Sequence, residues 1–106
     1  MSSDFIVIGG GLVGAAVSYG LRRTGASVIM LDEGDTAFRA SRGNFGLVWV
    51  QSKGDGMHEY AAWSKKSSDL WPELASSLKE ETGIDVGHHR PGAVSYTHLT
   101  LPTRNC

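Results

Sequence analysis

Three glycines at Gly-x-Gly-x-x-Gly spacing, Gly9, Gly11 and Gly14, and one later carboxylate, Asp32, are the residues whose chemistry is most legible. The glycines suit a bound pyrophosphate. Gly9 lets the chain turn sharply, Gly11 lets a phosphate approach the backbone, and Gly14 lets a helix pack closely on a strand. A helix that begins here turns its free N–H groups and positive dipole end toward that anion. Asp32 follows at close to the ~20-residue spacing expected of a carboxylate that binds the adenosine ribose hydroxyls.

Such residues need an apolar strand, a helix and a second strand to position them. Residues 4–8 read as the first strand. The helix is expected over 11–24, with Leu12, Ala15, Ala16, Tyr19 and Leu21 on its apolar side and Gly25 closing it. Residues 27–32 read as the second strand. Both strands are almost wholly apolar, the pattern of parallel strands covered on both faces. The unit is a right-handed strand–helix–strand start of a dinucleotide-binding fold.

Residues 33–56 are rich in Gly, Ser, Arg and Asn and read as a ligand-lining loop, since idle loops of that length are uncommon. A helical turn is expected near 37–41 and a short strand at 47–50. A long amphipathic helix is expected over 57–82, with Tyr60, Trp63, Ser67, Leu70, Trp71, Leu74 and Leu78 as one buried stripe. Asp55 is its expected N-cap and Gly83 its terminator, and Pro72 is expected to kink or restart it. Residues 84–94 read as a strand-like segment. His88 and His89 would there point to opposite faces, so they do not share a metal, and no metal site is expected.

The chain has 106 residues, 41 % of them hydrophobic and 20 % charged, with a formal net charge of −1. That is an ordinary composition for one small soluble domain or part of a larger one, and no basic cluster points to nucleic acid. Cys106 is the only cysteine, which excludes an internal disulfide and suits a cytoplasmic setting. Residues 5–21 carry no charge. They are interrupted by Gly9, Gly10, Gly11, Gly14 and Gly20 and follow no basic residue, so a transmembrane segment is not expected.

Three stretches together resemble the FAD-dependent oxidoreductases of the D-amino-acid oxidase superfamily. They are Phe5-Ile6-Val7-Ile8-Gly9-Gly10-Gly11-Leu12-Val13-Gly14, then Val28-Ile29-Met30-Leu31-Asp32-Glu33-Gly34, then Ala40-Ser41-Arg42-Gly43-Asn44-Phe45-Gly46. The third looks like the Ser-x-x-Asn-x-Gly loop of the D-amino-acid dehydrogenase branch. The resemblance implies an α/β, Rossmann-like FAD-binding start, truncated relative to family members several times longer. It implies that Gly9, Gly11, Leu12, Val13 and Gly14 meet the pyrophosphate and that Asp32, with Glu33 beside it, meets the ribose. Ser41, Arg42, Asn44 and Gly46 would lie near the pyrophosphate or the flavin. It further implies oxidation of a small amine or amino acid, with hydride passing to the flavin and the imine hydrolysing. No catalytic residue can be carried over, because the substrate domain is missing.

Residues 95–106 depart from that pattern. Ser95-Tyr96-Thr97-His98-Leu99-Thr100-Leu101-Pro102-Thr103 is similar to a peptide that recurs at the ends of unrelated reading frames. The expectation is a cofactor-binding segment over 1–94 and a non-native or read-through tail over 95–106. The Thr, Tyr and Leu content of 94–101 also suits a strand. Two other functions remain open on the residues alone: an NAD-dependent dehydrogenase domain, which the fingerprint and Asp32 permit, and a non-catalytic nucleotide-binding module.

Overall fold

The computed structural model describes residues 2–34 and 39–92. The expected tail at 95–106, and part of the turn expected at 37–41, lie outside the described residues. The chain divides into two compact units, Met1–Leu47 and Val48–Cys106.

In the first unit, β1 (Phe5–Ile8) leads to α1 (Leu12–Arg23) and back to β2 (Val28–Leu31), followed by a 3-10 turn at Ala40–Gly43. The strands pair in parallel, with Phe5 opposite Val28 and Ile8 opposite Leu31. Parallel neighbours cannot be joined by a tight turn, so a helix carries the chain back. Beyond the paired residues the ladder continues, because the Gly9 amide donates to the Leu31 carbonyl at 2.7 Å. At the other end Asp4 and Ser27 clamp the strands together. The Ser27 amide donates to Asp4 Oδ2 at 2.9 Å, and the Asp4 amide donates to Ser27 Oγ at 2.9 Å.

α1 ends as its sequence indicates. Arg22 and Arg23 occupy the last turn, where cations complement the helix dipole. Gly25 then takes φ +90° and donates its amide back to Arg22. α1 packs on both strands. The expectation of strands covered on both faces is not met. No hydrophobic residue among the described residues is fully buried, and Ile8 is 85 % exposed. One helix covers one face of a two-stranded sheet and leaves the other face open.

The second unit is built on α2 (His58–Thr82). The helix runs unbroken through Pro72, so no second helix starts there. The lost bond at Pro72 is outweighed by long runs of helix on either side, the Lys65–Asp69 pair at i, i+4, and Gly83 closing the end at φ +75°. The N-cap is Met57 rather than Asp55. Successive turns over 51–56 bring the chain in at Met57, with the Met57 amide donating to the Gly54 carbonyl at 2.8 Å.

The expected stripe of α2 is covered only in part: Trp71, Leu74 and Leu78 are half-buried, whereas its first half is not covered. Trp63 is 73 % exposed, and Tyr60 and Leu70 are also exposed. The least exposed face instead runs through Ala61, Ser64, Ser68, Trp71, Ala75 and Leu78, and Ser68, at 7 %, is the single buried residue on it. Small residues there admit the flanking segments. A Cβ on Gly54 would stand 2.7 Å from the Ala61 amide, and His88 stacks on Trp71 with ring centroids 5.8 Å apart.

The expected strand at 47–50 does not form. Its apolar residues have no neighbouring strand among the described residues, and Phe45, just before it, is 91 % exposed. Nor is there strand over 84–92, where His88 is half-buried on Trp71 and Arg90 pairs with Asp69. Among the described residues, no helix is long and apolar enough to cross a membrane.

Candidate functional site

The cleft of interest lies where β1 passes into α1. It is lined by Gly9, Gly11, Leu12, Val13 and Gly14, and from the later loop by Arg39 and Ser41. Its shape follows from the glycines. A Cβ on Gly14 would stand 1.8 Å from the Gly9 carbonyl oxygen, so the first helical turn lies directly against the strand exit. A Cβ on Gly11 would meet only Ser41 Oγ at 3.2 Å and Arg39 Cδ at 3.9 Å. The space over Gly11 is therefore framed by two polar side chains rather than by backbone.

The first four amides of an α-helix have no partner inside the helix. Gly11, the N-cap, has no side chain to offer them. The Leu12 amide instead donates to Ser41 Oγ at 2.8 Å, across a separation of 29 residues. A loop hydroxyl thus marks the place at the helix N-terminus where an anion would be welcome.

Asp32 stands just after β2 and is drawn into the same turn. The Gly10 amide donates to Asp32 Oδ1 at 3.0 Å, and the Gly34 amide donates to Asp32 Oδ2 at 3.2 Å. Arg39 forms an ion pair with Asp32 Oδ2 and also donates to the Gly34 carbonyl at 2.9 Å. The carboxylate is fixed by three donors and has further lone-pair capacity for a diol.

The structure therefore brings Gly9, Gly11, Leu12, Val13, Gly14 and Ser41 together around one cleft and ties Asp32 to it through Gly10 and Arg39. Glu33, Arg42, Asn44 and Gly46 do not line this cleft. Glu33 is exposed beside Asp32. Arg42 closes the 3-10 turn by donating its amide to the Arg39 carbonyl at 3.1 Å. Asn44 Oδ1 accepts the Gly46 amide at 3.3 Å in a small side-chain turn, with Gly46 at φ +74°. Arg39 is the residue that sequence reasoning missed. Its only signal was a cation two positions before Ser41, in a loop already rich in arginine. Among the described residues no cluster of His, Cys, Asp or Glu could hold a metal ion.

Comparison with known proteins bears on the same segment. The profile of the family described as FAD dependent oxidoreductase matches residues 4–104. An opine oxidase subunit of Rhizobium meliloti is 47 % identical over 93 residues, covering 88 % of this chain and 25 % of that protein. Glycine oxidase of Geobacillus kaustophilus is 31 % identical over 91 residues, covering 86 % of this chain and 24 % of that protein. The mitochondrial pyruvate dehydrogenase phosphatase regulatory subunit of Mus musculus is 29 % identical over 94 residues, 88 % of this chain and 10 % of that protein. The chain thus spans about a quarter of the length of the opine oxidase and glycine oxidase relatives it matches. No solved structure matches.

Proposed function

The chain belongs to the FAD dependent oxidoreductase family, and we propose that it is the FAD-cradling segment of an enzyme that oxidises small amines or amino acids. The observation that carries this reading is the turn itself. Gly14 is pressed on the Gly9 carbonyl, Gly11 is bordered only by the Ser41 and Arg39 side chains, and Asp32 is held on the Gly10 amide. The residues fit the cofactor. Gly9, Gly11, Leu12, Val13 and Gly14 supply backbone to the pyrophosphate, and Asp32 accepts from the ribose hydroxyls. Ser41 stands at the helix N-terminus beside the phosphates, and Glu33, Arg42, Asn44 and Gly46 belong to the loops flanking the cofactor. FAD, when bound, supplies the hydride acceptor, and the protein's part is to orient it.

The substrate class is supported by the names of two relatives, an opine oxidase subunit and a glycine oxidase. Within this reading residues 1–94 supply the cradle, and 95–106 are foreign to it, although the family match runs to residue 104. The genomic sequence downstream of codon 94 tests that boundary. A second reading, a non-catalytic cofactor-binding module, draws support from the relative named as a regulatory subunit. Both are tested on the full-length protein carrying this segment. Under the first reading it purifies with flavin absorbance bands that bleach on anaerobic addition of its amine substrate. Bound flavin that no amine or amino acid bleaches would favour the second.

A further inference from the structure

Arg39 has a geometry that holding Asp32 does not account for. Its side chain is only 17 % exposed, and one terminal nitrogen, Nη2, makes both bonds described above, to Asp32 and to the Gly34 carbonyl. Nε is buried and has no hydrogen-bond partner. Leaving a charged group's donor buried and unmatched is costly, so the side chain gains by turning that donor to an acceptor that enters beside it. The same side chain lines the cleft with Gly9, Gly11, Leu12 and Ser41, and its Cδ is 3.9 Å from where a Cβ on Gly11 would stand. It therefore flanks the glycine turn where a phosphate would approach the backbone.

The charges agree. Asp32 balances the guanidinium when the cleft is empty. A diphosphate entering over Gly11 brings two further negative charges, and the helix N-terminus supplies only partial compensation. A guanidinium presents five donors in a rigid fork, so Nη2 can stay on Asp32 while other donors meet phosphate oxygens. Lysine, a point charge on a flexible stem, cannot do both.

We propose that Arg39 binds the cofactor's diphosphate while remaining tethered to Asp32, and so couples the ribose end of the site to the phosphate end. This rests on the FAD reading given above. The test uses the full-length protein, stripped of flavin, and measures dissociation constants for FAD, ADP and adenosine by calorimetry. Adenosine reports the Asp32 half alone, and ADP adds the diphosphate. In Arg39→Met, binding of FAD and ADP is expected to weaken ~10- to 100-fold, the range for a lost charge-assisted hydrogen bond. Adenosine affinity should change by a much smaller factor, which also shows that the site is still folded. Arg39→Lys should recover part of the ADP affinity but less than the native fork. Equal weakening of ADP and adenosine in both variants would overturn the proposal and leave Arg39 as a structural partner of Asp32. Unchanged ADP binding in Arg39→Met would overturn it too, with the FAD reading intact. An unmutated protein that binds neither FAD nor ADP would overturn the FAD reading, and this proposal with it.

Discussion

A methyl group on Gly14 would stand 1.8 Å from the Gly9 carbonyl oxygen, whereas one on Gly11 would meet only side chains, Ser41 Oγ at 3.2 Å and Arg39 Cδ at 3.9 Å. The two glycines are therefore predicted to fail differently. Gly14→Ala forces the strand exit and the helix apart, a strain of ~1–3 kcal/mol or more, and lowers the thermal midpoint. Gly11→Val fills the space that a phosphate needs, so it abolishes FAD binding while much of the apo fold survives. Calorimetry on the apo-proteins beside a flavin-binding titration separates the two effects. Asp32→Ala should weaken FAD binding by ~1–3 kcal/mol, because it removes the ribose acceptor and leaves donors unmatched. The positions of Gly9, Gly11, Gly14 and Asp32 around one turn were legible because each follows from a fixed offset along one strand–helix–strand unit. Arg39 was not legible. Its partners, Asp32 and Gly34, depend on how an irregular loop folds back, and spacing along the chain does not encode that.

Among the elements, the strands and helices of the first unit were read to within a residue or two, and the terminators Gly25 and Gly83 were read correctly. Local rules govern those features. The errors came wherever a partner was assumed. Residues 47–50 have strand composition but no strand beside them among the described residues. The apolar stripe of α2 was assigned to the core, yet only Trp71, Leu74 and Leu78 of it are half-buried, and the flanking segments settle on a face that also takes in Ala61, Ser64 and Ser68. The helix also crosses Pro72, because its own length outweighs one missing bond. The Asp4–Ser27 clamp joins the strand starts through both backbone and side-chain bonds. Asp4→Ala and Ser27→Ala should each cost about 0.5–1.5 kcal/mol, and a double-mutant cycle should show them coupled rather than additive.

Hydrogen bonds from Lys65 and then Arg90 hold the Asp69 carboxyl below its ordinary value of 3.8, and the Gly87 amide followed by the charge of Lys79 does the same for Asp85. A carboxylate lowered in the folded state stabilises it above the ordinary value, and that support is lost as pH falls through the lowered one. The attachment of 84–90 to α2 should thus hold at pH 5 and weaken below about 3.8. Tryptophan fluorescence reports this through the Trp71–His88 stack. Asp69→Asn should flatten the acid transition, and an unaltered transition would contradict the assignment.

For the whole molecule, the decisive observation is how little apolar surface is covered. No hydrophobic residue among the described ones is fully buried, and Ile6, Ile8, Ile29, Met30 and Leu31 are all exposed on the two strands. Parallel sheets in α/β proteins are covered on both faces, and an open apolar edge invites association. Residues 1–106 alone are therefore predicted to associate or to lack a cooperative thermal transition, to bind FAD weakly, and to turn over no amine. Light scattering and scanning calorimetry check this, and a sharp transition with amine oxidation by the isolated chain would refute it. The central claim is that this segment cradles FAD. The most direct test is the absorbance spectrum of the full-length protein beside its Gly11→Val variant, both purified without added cofactor. The account predicts a yellow protein with flavin bands and a colourless, still folded variant. A colourless unmutated protein that binds NADH and no FAD, or a variant with undiminished flavin, would contradict it.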